Sequence, residues 1–173
     1  MRAVVVVRPD VSEHELASLH ERGARAVRVN IIYSGGGVGL AGAAKIASRI
    51  RNFGWHLQIL VNVSQLAGEM EAFSRLDVPV VFDHMGHLPA RKGVRDPGFK
   101  ALLELVRRGN TWVKLSGAYR LTGKEYPYPD VRPFVNALLD VGPERLVWGT
   151  DWPHTVCRVR MPNDGDLLDL LHA

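Results

Sequence analysis

The chain has 173 residues, 46% hydrophobic and 23% charged, a balance that supports a single globular domain with a buried core. Its net charge of +4 is spread along the chain, with basic pairs at Arg91-Lys92 and Arg107-Arg108 but no basic run interleaved with aromatics, so nucleic-acid binding is unsupported. The lone Cys157 excludes an internal disulfide, and no apolar run approaches the ~20 residues of a membrane span, so the expected setting is reducing and cytoplasmic, with no membrane contact.

Ala3 to Val7 is a continuous aliphatic run, the pattern of a strand covered on both faces. Ser12 to Glu15 is a capping box that opens a helix carrying Leu16 and Leu19, and Gly23 ends it. Ala26 to Ile32 reads as the next strand. It places Arg28 and Asn30 on one face of an apolar segment, where a guanidinium is costly unless paired. Either they line a solvated pocket with an anionic ligand, or they pair internally with a carboxylate such as Asp151; their place near the strand's C-terminal end favours the pocket.

Gly37 to Gly42 satisfies G-x-G-x-x-G, but the acid that a dinucleotide site needs about 20 residues further on is missing, because Leu60, Val61 and Asn62 stand there. A flexible loop over a site is the better reading. A helix from about Ala41 to Phe53 stops at Gly54, and His56 to Val61 is a strand with His56, Gln58 and Leu60 on one face. Ser64 is expected to cap a helix running to about Leu76.

Val78 to Phe82 is a strand that delivers Asp83-His84-Met85-Gly86-His87 at its C-terminal end. Such spacings on a loop do not define a metal site, and solvated loop histidines are the plain alternative. Asp96-Pro97 is a cap and first-turn start for a helix ending at Gly109. Trp112 to Leu115 is a strand with Lys114 and Ser116 on one face, followed by a long loop, Gly117 to Pro129, carrying Tyr119, Arg120 and Tyr126. Asp130 is expected to cap the next helix. The strand Arg145 to Trp148 runs into Gly149-Thr150-Asp151-Trp152-Pro153-His154, and a last helix begins near Asp164. Asp151 at this corner is either a general base or an Asx-turn former.

Strands and helices alternate throughout with short joins, which predicts an α/β fold with a parallel sheet. Arg28 with Asn30, Gln58, His84, Lys114 with Ser116, and Asp151 all come from strand ends. Polar groups gathered from several strand ends around one mouth favour part of a (β/α)8 barrel, with about six parallel strands and outer helices, over an open doubly wound sheet.

The segments RVN (Arg28 to Asn30), FDHMGH (Phe82 to His87), WVKLSGAYRL (Trp112 to Leu121) and RLVWGTDWPH (Arg145 to His154) resemble the amidohydrolase-related branch of the amidohydrolase superfamily, specifically its 2-pyrone-4,6-dicarboxylate lactonase-like members. The resemblance spans essentially the whole chain. It implies a (β/α)8 barrel hydrolase in which Asp151 activates water, His84 polarises the carbonyl, and Arg28 and Arg120 hold substrate carboxylates. Asn30, Gln58, Lys114, Tyr119 and His154 complete the expected substrate-binding set. The implied activity is opening of a small carboxylated lactone or similar cyclic ester or amide. The alternatives are a metal-dependent decarboxylase of the same branch and an inactive remnant that binds carboxylates or a partner chain.

The chain also departs from the family's pattern. The family's first-strand His-x-His is absent, since the sequence starts at what would be the third strand and ends inside the last helix. Leu60 stands where metal-dependent members have a ligand. The expectation is therefore a single domain over residues 1–173 lacking two strands and a tail, with no metal of its own. Zinc becomes possible only if the missing histidines are supplied, and exposed strand edges should favour self-association.

Overall fold

Six strands form one sheet in the order of the sequence, every neighbouring pair parallel: β1 (Ala3–Val5), β2 (Ala24–Asn30), β3 (His56–Leu60), β4 (Val80–Phe82), β5 (Thr111–Leu115) and β6 (Leu146–Trp148). The computed structural model describes residues 1–32, 38–155, 157 and 160–170. Parallel neighbours need crossover connections, and seven helices are described in or after them: α1 (Glu13–Glu21), α2 (Leu40–Ile50), α3 (Glu71–Ser74), α4 (Pro97–Arg107), α5 (Ala118–Leu121), α6 (Arg132–Val141) and α7 (Asp164–Asp169). The result is a curled half-barrel with flanking helices, as the alternation predicts. No helix among the described residues is long and apolar enough to cross a membrane. The first part of the Gly-rich segment, up to Gly37, lies outside the described residues, as do residues 171–173 at the chain's end.

The two faces of the sheet differ, because side chains alternate along each strand. Val27 and Val29, Leu57 and Ile59, Val80 and Phe82, and Val113 join one apolar cluster with Ile46 and Ile50 of α2, Phe99 and Leu102 of α4, and Phe134 and Leu138 of α6. Ala26, Leu60 and Val81 are buried too but lie outside that cluster, in alternation with it. The residues in step with them, Arg28, Asn30, Gln58 and Lys114, are the polar ones the sequence singles out.

Helix starts follow local chemistry where the cap is strong. Ser12 accepts from the Glu15 amide, and Asp96 accepts from the amides of Gly98 and Phe99 with Pro97 at the first turn. In α4, Phe99, Leu102, Leu105 and Val106 are buried, the stripe expected of a helix laid on a sheet.

Four expectations are corrected. β1 is short and exposed rather than covered on both faces, with Val4 46% exposed, because it is the sheet's edge. Ser64 caps no long helix: Asn62 caps a short 3-10 turn (Val63–Leu66) and only α3 follows. There Ser64 Oγ instead donates to Asp96 and accepts from Lys92, tying the turn to the start of α4. The 117–129 loop contains α5. Asp130 does not cap α6 but accepts from Thr122 Oγ1 and the Gly123 amide, closing the loop on itself.

Candidate active site

Two carboxylates organise the mouth at the C-terminal ends of the strands. Asp83, directly after β4, is 1% exposed. It accepts from Arg28 Nε of β2 at 3.0 Å and from Gln58 Nε2 of β3 at 2.9 and 3.0 Å, and it lies 3.2 Å from Lys114 Nζ of β5. Arg28 thus does form an ion pair, but with Asp83 rather than Asp151, and it stays 37% exposed. Arg28 therefore has an internal partner at Nε and a face toward solvent.

Asp151 follows β6 and is held at one oxygen. Tyr119 Oη donates to Oδ2 at 2.6 Å and Arg120 Nε donates to the same atom at 2.5 Å, both from α5. Its Oδ1 faces His84 Nε2 at 3.7 Å, too long for a hydrogen bond. Burial pushes the Asp151 carboxyl up, but the hydrogen bonds from Arg120 and Tyr119 outweigh it and hold it below the usual carboxylate value. The base candidate is therefore ionised at neutral pH.

His84 pairs with Ser116 Oγ through Nδ1 at 2.9 Å. Burial drives its pKa down to about 4 against the pull of Asp151 and Asp83, so the ring is neutral at pH 7. Burial likewise lowers His87, whose ring centroid lies 5.9 Å from that of His84, and raises the Tyr119 phenol. The backbone here is unusual. His84, Met85, His87, Asp151 and His154 all have positive φ, a conformation that costs non-glycine residues of order 1–3 kcal/mol each and that concentrates at functional sites.

The remaining expected residues are placed less centrally. Asn30 accepts from the Ile32 amide through Oδ1 and so shapes the exit of β2. His154 is buried, its ring edge-on to Tyr119 at 5.5 Å and its Nε2 3.0 Å from Asp164 Oδ1, so it packs behind the Asp151 cluster. Two residues of the site carry no role in the sequence pattern, where Ser116 is only a neighbour of Lys114 and Asp83 only part of a histidine-rich loop. The signal for Asp83 was the need of Arg28 and Lys114, cations on apolar strands, for a buried counter-charge.

Comparison with known proteins gives consistent matches. Residues 1–172 match a family described as Amidohydrolase. A 4-sulfomuconolactone hydrolase of Hydrogenophaga intermedia is 36% identical, the match covering 98% of this chain and 57% of the relative. A 2-pyrone-4,6-dicarboxylate hydrolase of Comamonas testosteroni is 35% identical, covering 98% and 59%. Among solved structures, a Pseudomonas putida protein assigned as a 2-pyrone-4,6-dicarboxylic acid hydrolase is 35% identical and superposes with a TM-score of 0.85, covering 99% of this chain and 63% of its own. The chain thus spans less than two thirds of the length of the relatives it matches.

Proposed function

This chain belongs to the amidohydrolase family, and from that premise we propose that its site opens a small carboxylated lactone, or a similar cyclic ester or amide, by hydrolysis with Asp151 as general base. The observation that carries the reading is the asymmetry of Asp151: Oδ2 is held by Tyr119 and Arg120, while Oδ1 has no hydrogen bond among the described residues and faces a neutral imidazole. Asp83 is the less suitable base, since both its oxygens are committed to donors.

In this mechanism Asp151 Oδ1 takes a proton from water as the water oxygen bonds to the lactone carbonyl carbon. With the Ser116 hydroxyl donating to His84 Nδ1, Nε2 keeps its proton and meets the negative charge that grows on the carbonyl oxygen. The ring C–O bond then breaks and the leaving oxygen recovers the proton from Asp151, leaving an open-chain hydroxy acid. Arg28 and Arg120 are each engaged at Nε by an aspartate, and each carries two terminal nitrogens besides. Those forks suit substrate carboxylates, which planar guanidinium groups bind best. The names of the relatives, a sulfonated lactone hydrolase and a dicarboxylate hydrolase, fit an anionic ring.

A bound metal does not fit the donors present. Among the described residues no group of three or more His, Cys, Asp and Glu side chains could hold an ion, and Asp83 is committed to Arg28, Gln58 and Lys114. We expect the purified chain to hold no stoichiometric zinc; one zinc per chain by elemental analysis after dialysis would contradict this. The function itself is tested with the intact protein on lactones with and without ring carboxylates. Ring opening, followed by absorbance and acid release, is expected for the carboxylated lactones, and failure to open any of them would overturn the reading.

A further inference from the structure

Among the described residues, Asp83 is the most buried side chain that carries a formal charge, and it touches three of the expected substrate-binding residues at once. Its oxygens are divided between them. Oδ1 accepts from Gln58 and lies against Lys114, while Oδ2 accepts from Gln58 and Arg28. Gln58 is itself buried and donates to both oxygens, which fixes the plane of the carboxylate. Arg28 and Lys114 are 37% and 30% exposed, so each is anchored at depth and reaches the mouth.

We propose that Asp83 is a positioning residue for substrate: by holding Arg28 at Nε and Lys114 at Nζ, it presents the two terminal nitrogens of Arg28 as a preset fork for one substrate carboxylate. The proposal rests on the carboxylated-substrate reading above and adds to it the group that organises the binding side of the site. An arginine side chain carries about 2 kcal/mol of rotamer entropy, and freezing it before binding removes that cost from the binding step. The charge also balances. One carboxylate between two cations leaves a net single positive charge, complementary to one carboxylate of the substrate. Asp83 and Arg28 therefore act as one unit, so that losing either should remove the same interaction.

The test is a double-mutant cycle in the intact protein, with benzene-1,3-dicarboxylate as the probe and calorimetry as the readout. Asp83→Asn and Arg28→Met should each weaken binding about tenfold or more, and the double variant should be no weaker than Arg28→Met alone, because coupled residues are non-additive. Asp83→Asn that is folded by circular dichroism and binds like the wild type, or losses that add in the double variant, would overturn the proposal. If Asp83→Asn does not fold, Gln58→Leu keeps the charge but frees the carboxylate plane; because Gln58 is itself an expected substrate contact, unchanged binding overturns the proposal and the Arg28 exchange below decides whether weakened binding supports it. A second readout needs no ligand: solvent exchange of the Arg28 Nε–H by nitrogen-15 NMR, assigned by its loss in Arg28→Met. Exchange should be slow in the wild type and clearly faster in Asp83→Asn, or in Gln58→Leu where that variant replaces it. If the wild type does not bind the dicarboxylate, the carboxylated-substrate reading fails, and this exchange decides Asp83 alone, unchanged exchange overturning its role.

Discussion

Asp151 can take a proton from water only while it is ionised and aimed, and the two donors on Oδ2 serve both needs. Asp151→Asn keeps the shape and removes the base, so kcat for lactone opening should fall roughly 10²-fold or more with KM little changed. A variant that retains wild-type turnover would return Asp151 to the role of turn former beside Trp152. His84 sets the acid limit. In the unfolded chain it titrates near 6.5, and in the folded chain only at about 4. The stability gained by keeping it neutral is complete above pH 6.5 and is lost as pH falls from 6.5 toward 4. Asp151, held below its usual value, contributes stability above 3.8 that is lost as pH falls through its folded pKa. Ionised Asp151 and neutral His84 coexist down to about pH 4, so kcat/KM should be flat from neutral pH to about 5 and fall near 4. A descending limb near 6.5 in the pH–rate profile would show that His84 titrates as a free imidazole does.

At the scale of elements, the join between β5 and α5 decides whether the two halves of the site meet. Gly117 has φ +62, and a Cβ there would lie 2.7 Å from His84 Nδ1 and 3.1 Å from Arg120 Cδ. This corner lets α5 turn Tyr119 and Arg120 onto Asp151 while leaving room for the ring that Ser116 holds. Gly117→Ala forces both a left-handed alanine and a displaced imidazole. It should destabilise the fold by about 1–2 kcal/mol and lower kcat, measured by thermal unfolding and turnover on the same preparation. Turnover equal to wild type would mean the imidazole does not need its observed place. The stretch after β3 shows tertiary contacts overriding local propensity. A Cβ on Gly98 would lie 2.1 Å from the Val63 carbonyl oxygen, so the start of α4 sits directly on the turn that a longer helix from Ser64 would have occupied.

For the whole molecule, the sheet's two edges carry the consequence. Along β1 and just beyond it Val4 and Val6 are 46% and 80% exposed, and on β6 Val147 and Trp148 are 41% and 40% exposed. Edge strands with apolar side chains and open backbone groups pair readily with other chains. The 173-residue chain by itself should therefore self-associate, seen by light scattering as mass rising with concentration. A monodisperse monomer at high concentration would contradict this.

The α/β class, the parallel sheet and the single face shared by Arg28 with Asn30 on one strand were legible in the sequence, because strand and helix periods are local and Gly, Pro and capping residues mark their ends. The last motif stood out through an acid placed three residues after an apolar strand. Which charge meets which was not legible. Arg28 finds Asp83 across 55 residues of sequence, and Asp151 instead takes Tyr119 and Arg120 from a helix that reads as loop. Those pairings depend on the register between neighbouring strands, Arg28 against Gln58 and Gln58 against Val81, two residues before Asp83. Register is set by packing across the sheet, and a pattern read along one strand carries no record of its neighbour.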